Sequence, residues 1–357
     1  MTIRCLTVLL LAVIMAVAAE AADKFRIGYI AEPAHGLHFI ADKKGYFKEE
    51  GIAAELFQFS TTAEGVGALK AGKLEVGTFG TAAPLLFIAR GADFTIFAGM
   101  MIEGQAIIAK PENVNLLKDL KSFKGKTVAL GKLTTGDVIF RGALKKAGID
   151  PNKDIKVLEF PGQSAVVEAV RKGAVDAGIV FAPHYTLAEK KYGLKVSNYI
   201  ADFHPDYTCC RLVANTKDFN AKKDAYKRFL IAIIRAYKFY KVHHDETVKI
   251  ISSTLKIEED VVRKDTYTNA TFQSNPDPLT DGTLEFWNIM TDIGYLPENN
   301  VKLLEHIDTT VYRQALDEVL KRYPNDPVYQ QMEEFFEKHN TLPPLGTHEH
   351  NHGKIDR

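Results

Sequence analysis

The stretch FRIGYIAEPAHGLHFIADKKGYFKEEGIAAELFQF, residues 25–59, sets the pattern for most of the chain. It holds an apolar run, FRIGYI, then a segment in which Leu37, Ile40 and Ala41 recur at helical spacing, and then a second apolar run, AAELFQF. Short apolar runs that alternate with amphipathic segments are typical of an α/β fold. The same alternation resumes after a charged connection over residues 111–126, so the sequence predicts two α/β series.

The N-terminus has the composition of a secretory signal. Met1–Arg4 carries a positive charge, Cys5–Ala19 is apolar, and Ala19-Glu20-Ala21 supplies small residues for cleavage. The apolar run is shorter than the roughly 20 residues that span a membrane. We therefore expect residues 1–21 to be a signal peptide and the mature protein to be soluble and periplasmic.

The length predicts more than one lobe. With the signal set aside, the rest of the 357 residues exceeds the ~250–300 at which one hydrophobic core usually stops growing. The pattern assigns residues 22–108 and 212–345 to a first lobe with helical C-terminal segments, and residues 109–211 to a second. Residues 346–357 form a polar tail that we expect to be disordered. The chain would then cross between the lobes twice, and the two crossing segments would form a hinge beside a cleft.

Charge and cysteine content exclude several functions. The chain has 45 basic and 45 acidic residues, and a nucleic-acid partner would require a basic excess. Beyond the signal peptide only Cys209 and Cys210 remain, so no disulfide framework exists. Adjacent cysteines rarely meet disulfide geometry, which favours two free thiols over a vicinal disulfide. We expect a monomer.

Two loops are candidate anion sites because each follows a strand and begins a helix. They are Gly80-Thr81-Ala82 in the first lobe and Thr134-Thr135-Gly136 in the second. A helix N-terminus offers unpaired N–H groups and about half a positive charge, and hydroxyls add donors. The alternative interpretation is that these residues only cap their helices. The loop that contains His35 and Gly36, with His38 in the next turn, would lie at the mouth of the same cleft.

Four segments together resemble one protein family: GLHFIADKKGYFKEEGI, ALKAGKLEVGTFGTAAPLLFIARG, LKSFKGKTVALGKLTTGDVIFRGALKKAGID and AVRKGAVDAGIVFAPH. They are similar to the periplasmic substrate-binding proteins of nitrate, sulfonate and taurine ABC importers, over about residues 24–240. The resemblance implies the two-lobed periplasmic-binding-protein fold, of the type II kind, with a mixed sheet flanked by helices in each lobe. It also implies a small solute held in the cleft, and delivery to a membrane permease and its ATPase.

The resemblance also implies a ligand shell that is drawn from both lobes. The positions carried over are His35, Gly36, His38, Gly80, Thr81, Ala82, Gln105, Thr134, Thr135, Gly136, Phe160, Gly162, Phe181 and His184.

The identity of the solute stays open at this stage. Matching anion loops favour a sulfonate, nitrate or a similar oxyanion, although this shell has few cations. The family also contains binding proteins for the pyrimidine precursor of thiamine, for which Phe160 and Phe181 would be stacking residues. A related pyrimidine synthase carries a cysteine cluster near the position of Cys209-Cys210, but an exported protein is poorly placed to obtain its cofactors. We expect no enzyme and no cofactor.

The tail contains three alternating histidines, His348, His350 and His352. Such a segment binds transition metals weakly, because a strong site needs fixed geometry. A solvated tail is the favoured interpretation, and a metal-scavenging role is the alternative.

Overall fold

The computed structural model describes residues 22–131 and 133–341. The expected signal peptide, Lys132 and the histidines of the tail lie outside these ranges. The strands are β1 (Asp23–Tyr29), β2 (Ile52–Gln58), β3 (Val76–Gly80), β4 (Phe94–Glu103), β5 (Gln105–Ala109), β6 (Thr127–Gly131), β7 (Lys156–Phe160), β8 (Ala177–Phe181), β9 (Lys195–Tyr199), β10 (Thr208–Asn215) and β11 (Phe272–Ser274).

These strands form two mixed sheets. The first has the order β11-β4-β10-β3-β1-β2 and the second has the order β7-β6-β8-β5-β9. Strand β1 is parallel to β2 and β3, and β6 is parallel to β7 and β8. The remaining pairs in both sheets are antiparallel. The predicted architecture of two lobes, each with a mixed sheet, is confirmed.

Helices cover both sheets and make up most of the C-terminal region. They are α1 (Gly36–Lys43), α2 (Tyr46–Glu49), α3 (Thr62–Lys70), α4 (Ala82–Ala89), α5 (Val114–Leu117), α6 (Thr135–Lys146), α7 (Gln163–Lys172), α8 (His184–Tyr192), α9 (Thr216–Ala221), α10 (Lys223–Val242), α11 (His244–Leu255), α12 (Glu259–Arg263), α13 (Thr280–Asp292), α14 (Thr310–Arg322) and α15 (Pro327–Asn340). Over the described residues, none of these helices is both long enough and apolar enough to span a bilayer.

The chain crosses between the sheets at Gly104. Glu103 and Gly104 have positive φ angles of 63° and 97°, and a Cβ on Gly104 would lie 2.4 Å from Met101 Cε. Only glycine accepts this combination without strain. Since β5 belongs to the second sheet and β10 to the first, the sheets change at Gly104 and before Thr208. The boundaries expected after residues 108 and 211 are corrected accordingly, because the pattern of an apolar strand does not reveal which sheet it joins.

The C-terminal helices brace the first lobe, as expected. Helix α10 packs on α1, α2 and α14. The buried Glu50 carboxylate pairs with Arg235 at 3.2 Å and with Arg322 at 2.5 Å. These ion pairs tie α10 and α14 to the end of α2.

The same region also contacts the second lobe, which the sequence pattern did not predict. Helix α13 packs against α6. On α8, Lys190 Nζ lies 2.6 Å from the Glu258 carboxylate and 2.7 Å from that of Asp260. The Thr186 hydroxyl donates a hydrogen bond to the buried Asp265 carboxylate. The C-terminal region therefore touches both lobes.

Candidate functional site

A cavity of about 250 Å³ lies between the lobes, where parallel strands of both sheets end. Ile30 follows β1 and Ser60 lies just after β2, while Gly131, Phe160 and Phe181 are the last residues of β6, β7 and β8. Open α/β sheets bind ligands at the carboxyl ends of their strands. The lining residues are Ile30, Ser60, Thr61, Thr62, Ala63, Gly131, Leu133, Thr134, Phe160, Pro161, Gly162, Gln163 and Phe181.

Three helices begin at this cavity. Thr61 and Thr62 form the start of α3, Thr134 immediately precedes α6, and Gly162 and Gln163 form the start of α7. The first N–H groups of a helix have no intrahelical acceptor, and a helix N-terminus carries about half a positive charge. Backbone donors from both lobes therefore converge on one small volume.

Hydrogen bonds within the second lobe orient two of the lining side chains. The Thr134 hydroxyl donates to the Gly131 carbonyl at 3.1 Å. The Gln163 Oε1 atom accepts from the Phe181 N–H at 3.2 Å, and its Nε2 group lies beside Gly131. Because the Gln163 oxygen is already an acceptor, this side chain offers the cavity its N–H donors.

The described lining residues include no acidic, basic or histidine side chain. Lys132, which precedes Leu133, lies outside the described residues. Much of the wall is apolar, and a neutral wall with inward N–H groups suits a small anion that has an apolar part. The apolar side chains are Ile30, Leu133, Phe160, Pro161 and Phe181.

Beside the cavity, the two lobes meet at the Cys209 carbonyl. This oxygen accepts the Thr81 N–H at 2.5 Å and the Thr81 hydroxyl at 2.8 Å. It also accepts the Thr135 hydroxyl of the second lobe at 3.2 Å. Thr81 and Thr135 therefore use their hydroxyl donors on a protein acceptor.

Small residues allow this close approach. A Cβ on Gly80 would lie 2.9 Å from Thr135 Oγ1, and one on Gly136 would lie 1.9 Å from Gln105 Oε1. Gln105 is buried, its Nε2 group lies 3.8 Å from Cys209 Sγ, and its Oε1 has no hydrogen-bond partner. We name the contact around the Cys209 carbonyl, formed by Gly80, Thr81, Gln105, Thr135 and Gly136, the lobe junction.

The loop after β1 buries His35 beneath the lobe junction. His35 Nδ1 accepts the Ile30 N–H at 3.3 Å. Its Nε2 atom lies 2.9 Å from Glu32 Oε1, a distance typical of an ion pair, although the contact lacks hydrogen-bond geometry. Cys210 Sγ lies 3.8 Å from the same carboxylate. Glu32, His35 and Cys210 are fully or almost fully buried and do not line the described cavity.

The other two predicted histidines also lie outside the cavity wall. His38 is buried with Nε2 2.8 Å from Thr78 Oγ1, and burial holds its pKa well below the usual range. His184 packs its ring edge-on against Phe181, with ring centroids 5.4 Å apart. Burial lowers the pKa of His184 to about 4, so it carries no charge at neutral pH.

The structure separates the predicted site residues into two groups. Thr134, Phe160, Gly162 and Phe181 line the cavity. Gly36 is packed under Ile251, where a Cβ would lie 2.6 Å from Cδ1. The predicted positions that do not line the cavity are His35, Gly36, His38, Gly80, Thr81, Ala82, Gln105, Thr135, Gly136 and His184.

The start of α3 is the part of the site that sequence reasoning missed. Ser60, Thr61, Thr62 and Ala63 line the cavity, and the N-cap is Thr61, whose hydroxyl accepts the Glu64 N–H at 3.2 Å. The signal was present, because hydroxyl residues directly follow the strand AAELFQF just as Thr134 follows β6.

Comparison with known sequences identifies a family. A model of the NMT1-like family matches residues 18–255. A putative binding protein of Brucella abortus is 28% identical over 237 residues, which are 66% of this chain and 72% of that protein. A 4-amino-5-hydroxymethyl-2-methylpyrimidine phosphate synthase of Candida albicans is 26% identical over 239 residues, 62% of this chain and 68% of that enzyme.

Solved structures show the same fold. The periplasmic nitrate-binding protein NrtA from Synechocystis PCC 6803 matches with a TM-score of 0.71 and 15% identity, over 90% of this chain and 99% of that one. The periplasmic aliphatic sulphonate binding protein SsuA from Escherichia coli matches with a TM-score of 0.68 and 17% identity, over 82% and 99%. This chain, with its two-lobed periplasmic-binding-protein fold, belongs to the NMT1-like family of substrate-binding proteins.

Proposed function

We propose that the protein is the substrate-binding component of an ABC importer, which captures a small sulfonate, nitrate or similar oxyanion in the cavity between its lobes. Its partners are the solute and a membrane permease with an ATPase, and it works in the periplasm. Family membership and fold support the importer role. The remaining support comes from the cavity itself.

The convergence of three helix N-termini carries the anion assignment. Helices α3, α6 and α7 start at the cavity, and none of the described lining residues has a charged side chain. An anion placed there meets fixed N–H dipoles that replace its hydration, and a cation meets three positive helix ends. The electrostatics therefore favour a negative solute over a neutral or positive one.

The size and polarity of the cavity favour a sulfonate with a carbon chain. Its volume of about 250 Å³ equals about eight waters at ~30 Å³ each, which is more than a four-atom anion such as nitrate fills. The apolar side chains Ile30, Leu133 and Phe160 give a hydrocarbon tail a surface to contact. The aliphatic sulphonate binding protein of Escherichia coli has the same fold.

A heterocycle is the second candidate, supported by two phenylalanines. Phe160 and Phe181 both line the cavity, and aromatic rings of this kind stack on planar ligands. The 26% identity with the pyrimidine phosphate synthase of Candida albicans also favours a pyrimidine-like solute. A synthase activity on this fold is a less favoured alternative, because the relative in Brucella abortus is described as a putative binding protein.

The anion assignment is tested by placing a carboxylate at the start of α3. In Thr62→Asp the new charge faces the solute, and two like charges about 4–5 Å apart at an effective dielectric constant near 20 repel by about 3–4 kcal/mol. We expect affinity for an alkyl sulfonate to fall by about two orders of magnitude, measured by titration calorimetry on residues 22–357. Nitrate, taurine and a formylated aminopyrimidine complete the panel.

Thr310→Asp is the matched control. Thr310 is also the first residue of a helix, α14, but it is exposed and lies outside the cavity lining. Both substitutions place a carboxylate at a helix N-terminus. At residue 310 the new charge also lies beside Asp308, whose Oδ1 accepts from the Thr310 hydroxyl at 2.6 Å, so binding is measured well below the unfolding midpoint of each variant. Equal affinities in the two variants, or a solute that binds Thr62→Asp more tightly, would exclude an anion in this cavity.

A further inference from the structure

Cys209 and Cys210 are neighbours in sequence, and their sulfur atoms lie close together on β10. On a regular strand adjacent side chains point to opposite faces. The register of β10 against β4 shifts on both sides of Cys210, and the two Sγ atoms lie 3.9 Å apart. Both are buried free thiols. The irregular strand has therefore brought together two groups that a regular strand would separate.

The peptide group between these cysteines is also the acceptor of the lobe junction. Neighbouring Cα atoms are ~3.8 Å apart, whereas disulfides usually require ~4.4–6.8 Å. A bond between the sulfurs must therefore twist the peptide that carries the Cys209 carbonyl. That carbonyl accepts three hydrogen bonds from Thr81 and Thr135. A disulfide and the intact lobe junction thus compete for the same peptide group.

We propose that Cys209 and Cys210 form a redox-modification site, at which a small disulfide converts the two thiols into a vicinal disulfide and weakens the contact between the lobes. In the first step one cysteine thiolate attacks the small disulfide, forms a mixed disulfide and releases one thiol. In the second step the neighbouring sulfur attacks the mixed disulfide and releases the other thiol. The two protein thiols are oxidised, and one small disulfide is reduced to two thiols.

Lobe opening controls access to this site. From the second sheet, Gln105 Nε2 lies 3.8 Å from Cys209 Sγ, and Thr135 binds the Cys209 carbonyl. A hydrogen bond to the Cys209 thiol and burial raise the pKa of Cys210 well above its usual range. The folded protein therefore disfavours the Cys210 thiolate, and thiolates are the reactive species. Exchange proceeds when the second lobe moves away and water reaches the sulfurs.

The test uses oxidised glutathione on residues 22–357 without any solute, so it does not depend on the proposed function. We expect the intact protein to become lighter by two hydrogens, to carry no glutathione, and to return to its first mass on addition of dithiothreitol. A disulfide between adjacent residues removes little conformational entropy from the unfolded chain, so it adds little stability. We therefore expect the lost hydrogen bonds to dominate and the unfolding midpoint to fall by roughly 2–4 °C. The radius of gyration from X-ray scattering should increase.

Two variants separate this effect from other consequences of oxidation. Cys209→Ser/Cys210→Ser should keep its mass, midpoint and radius in oxidised glutathione. In Thr135→Val, which lacks one donor to the Cys209 carbonyl, oxidation should shift the midpoint less than in the parent protein. A stable glutathione adduct as the product, or no reaction, would overturn the proposal. So would a vicinal disulfide that leaves the midpoint and radius unchanged.

Discussion

The cavity and the lobe junction are built from the same kinds of residues but differ in what satisfies their donors. Both contain threonines at helix starts that follow strands. Thr81 and Thr135 bind the Cys209 carbonyl across the lobes. At the cavity, the N–H groups at the start of α3 and α7 face a space of about 250 Å³. A donor on a protein acceptor stabilises the fold, and an unpaired donor is available to a solute.

The comparison indicates that a position can bind a solute when its hydrogen-bond donors are not already used by a protein acceptor, whatever its residue type. Gly80 and Gly136 allow the lobes to approach so closely that no solute fits between them. Gly162 has no neighbouring atom within 4 Å of a Cβ position, and it lines open space. We therefore expect changes at the junction to alter stability and closure, and changes at the cavity to alter affinity and selectivity.

The largest effect is expected at Arg211, which follows the cysteine pair on β10. Its fully buried guanidinium donates to the carbonyls of Met101 at 2.9 Å, Pro278 at 2.9 Å and Asp277 at 3.1 Å. Arg211→Ala leaves a cavity and three unsatisfied acceptors, at a cost of about 3–5 kcal/mol. The unfolding midpoint should fall by roughly 4–7 °C, while solute affinity well below that midpoint should change little.

Arg171→Ala is the control for this prediction. Arg171 is an exposed arginine paired with Glu168 at 2.7 Å on the surface of α7, and exposed pairs of this kind contribute little. Its removal should leave the midpoint unchanged. A similar midpoint for both arginine variants would mean that the region around β10 does not support the fold.

A smaller effect is expected from two adjacent threonines. Thr135→Val removes the 3.2 Å hydrogen bond to Cys209 across the junction, worth about 0.5–1.5 kcal/mol. Since it acts on closure, affinity should fall by about three- to tenfold for every solute alike. Thr134→Val changes a cavity wall and should change affinities unequally among alkyl sulfonates, nitrate and taurine. Titration calorimetry of both variants with these solutes measures the changes in affinity. A change of selectivity in Thr135→Val would contradict the proposed difference between the lobe junction and the cavity.

The sequence was sufficient for the fold, and four of the residues that it proposed as ligands, Thr134, Phe160, Gly162 and Phe181, line the described cavity. Alternation of apolar runs and helical segments predicted two α/β series, and the structure has one mixed sheet for each. Strands are followed by helices at predictable places, so the loops at the carboxyl ends could be assigned. These features depend on the local sequence pattern, which can be recognised in one sequence alone.

The division between cavity and junction could not be predicted in the same way. It depends on the distance across the lobes, such as Thr135 Oγ1 to the Cys209 carbonyl over 74 positions in sequence. Thr81 and Thr62 look alike in sequence, and only their neighbours in the other lobe distinguish them. The histidines were predicted at the cleft because their loop follows the first strand, whereas His38 is buried in the structure.

The smallest expected effect is that of pH on affinity. None of the described residues that line the cavity titrates between pH 5.5 and 8, and His184 behind Phe181 has its pKa lowered to about 4 by burial. Affinity for a sulfonate should therefore stay about constant over this range. Stability behaves differently, because unfolded His184, with its usual pKa near 6.5, binds a proton that the folded protein does not.

The contribution of His184 to the free energy of unfolding should therefore decrease as the pH falls from about 6.5 towards 4, while the dissociation constant stays level. Burial raises the pKa of Asp265 to about 7 and that of Asp277 to about 6, and these carboxyl groups contribute with the opposite sign. His184→Gln keeps a neutral polar group at this position, so denaturant titrations should show the parent protein losing stability relative to this variant over that range, and calorimetry on the same samples measures the affinity. If affinity rises as the pH falls towards 5.5, a protonated group must contact the solute, and binding would then depend on a cation and not on helix N-termini alone.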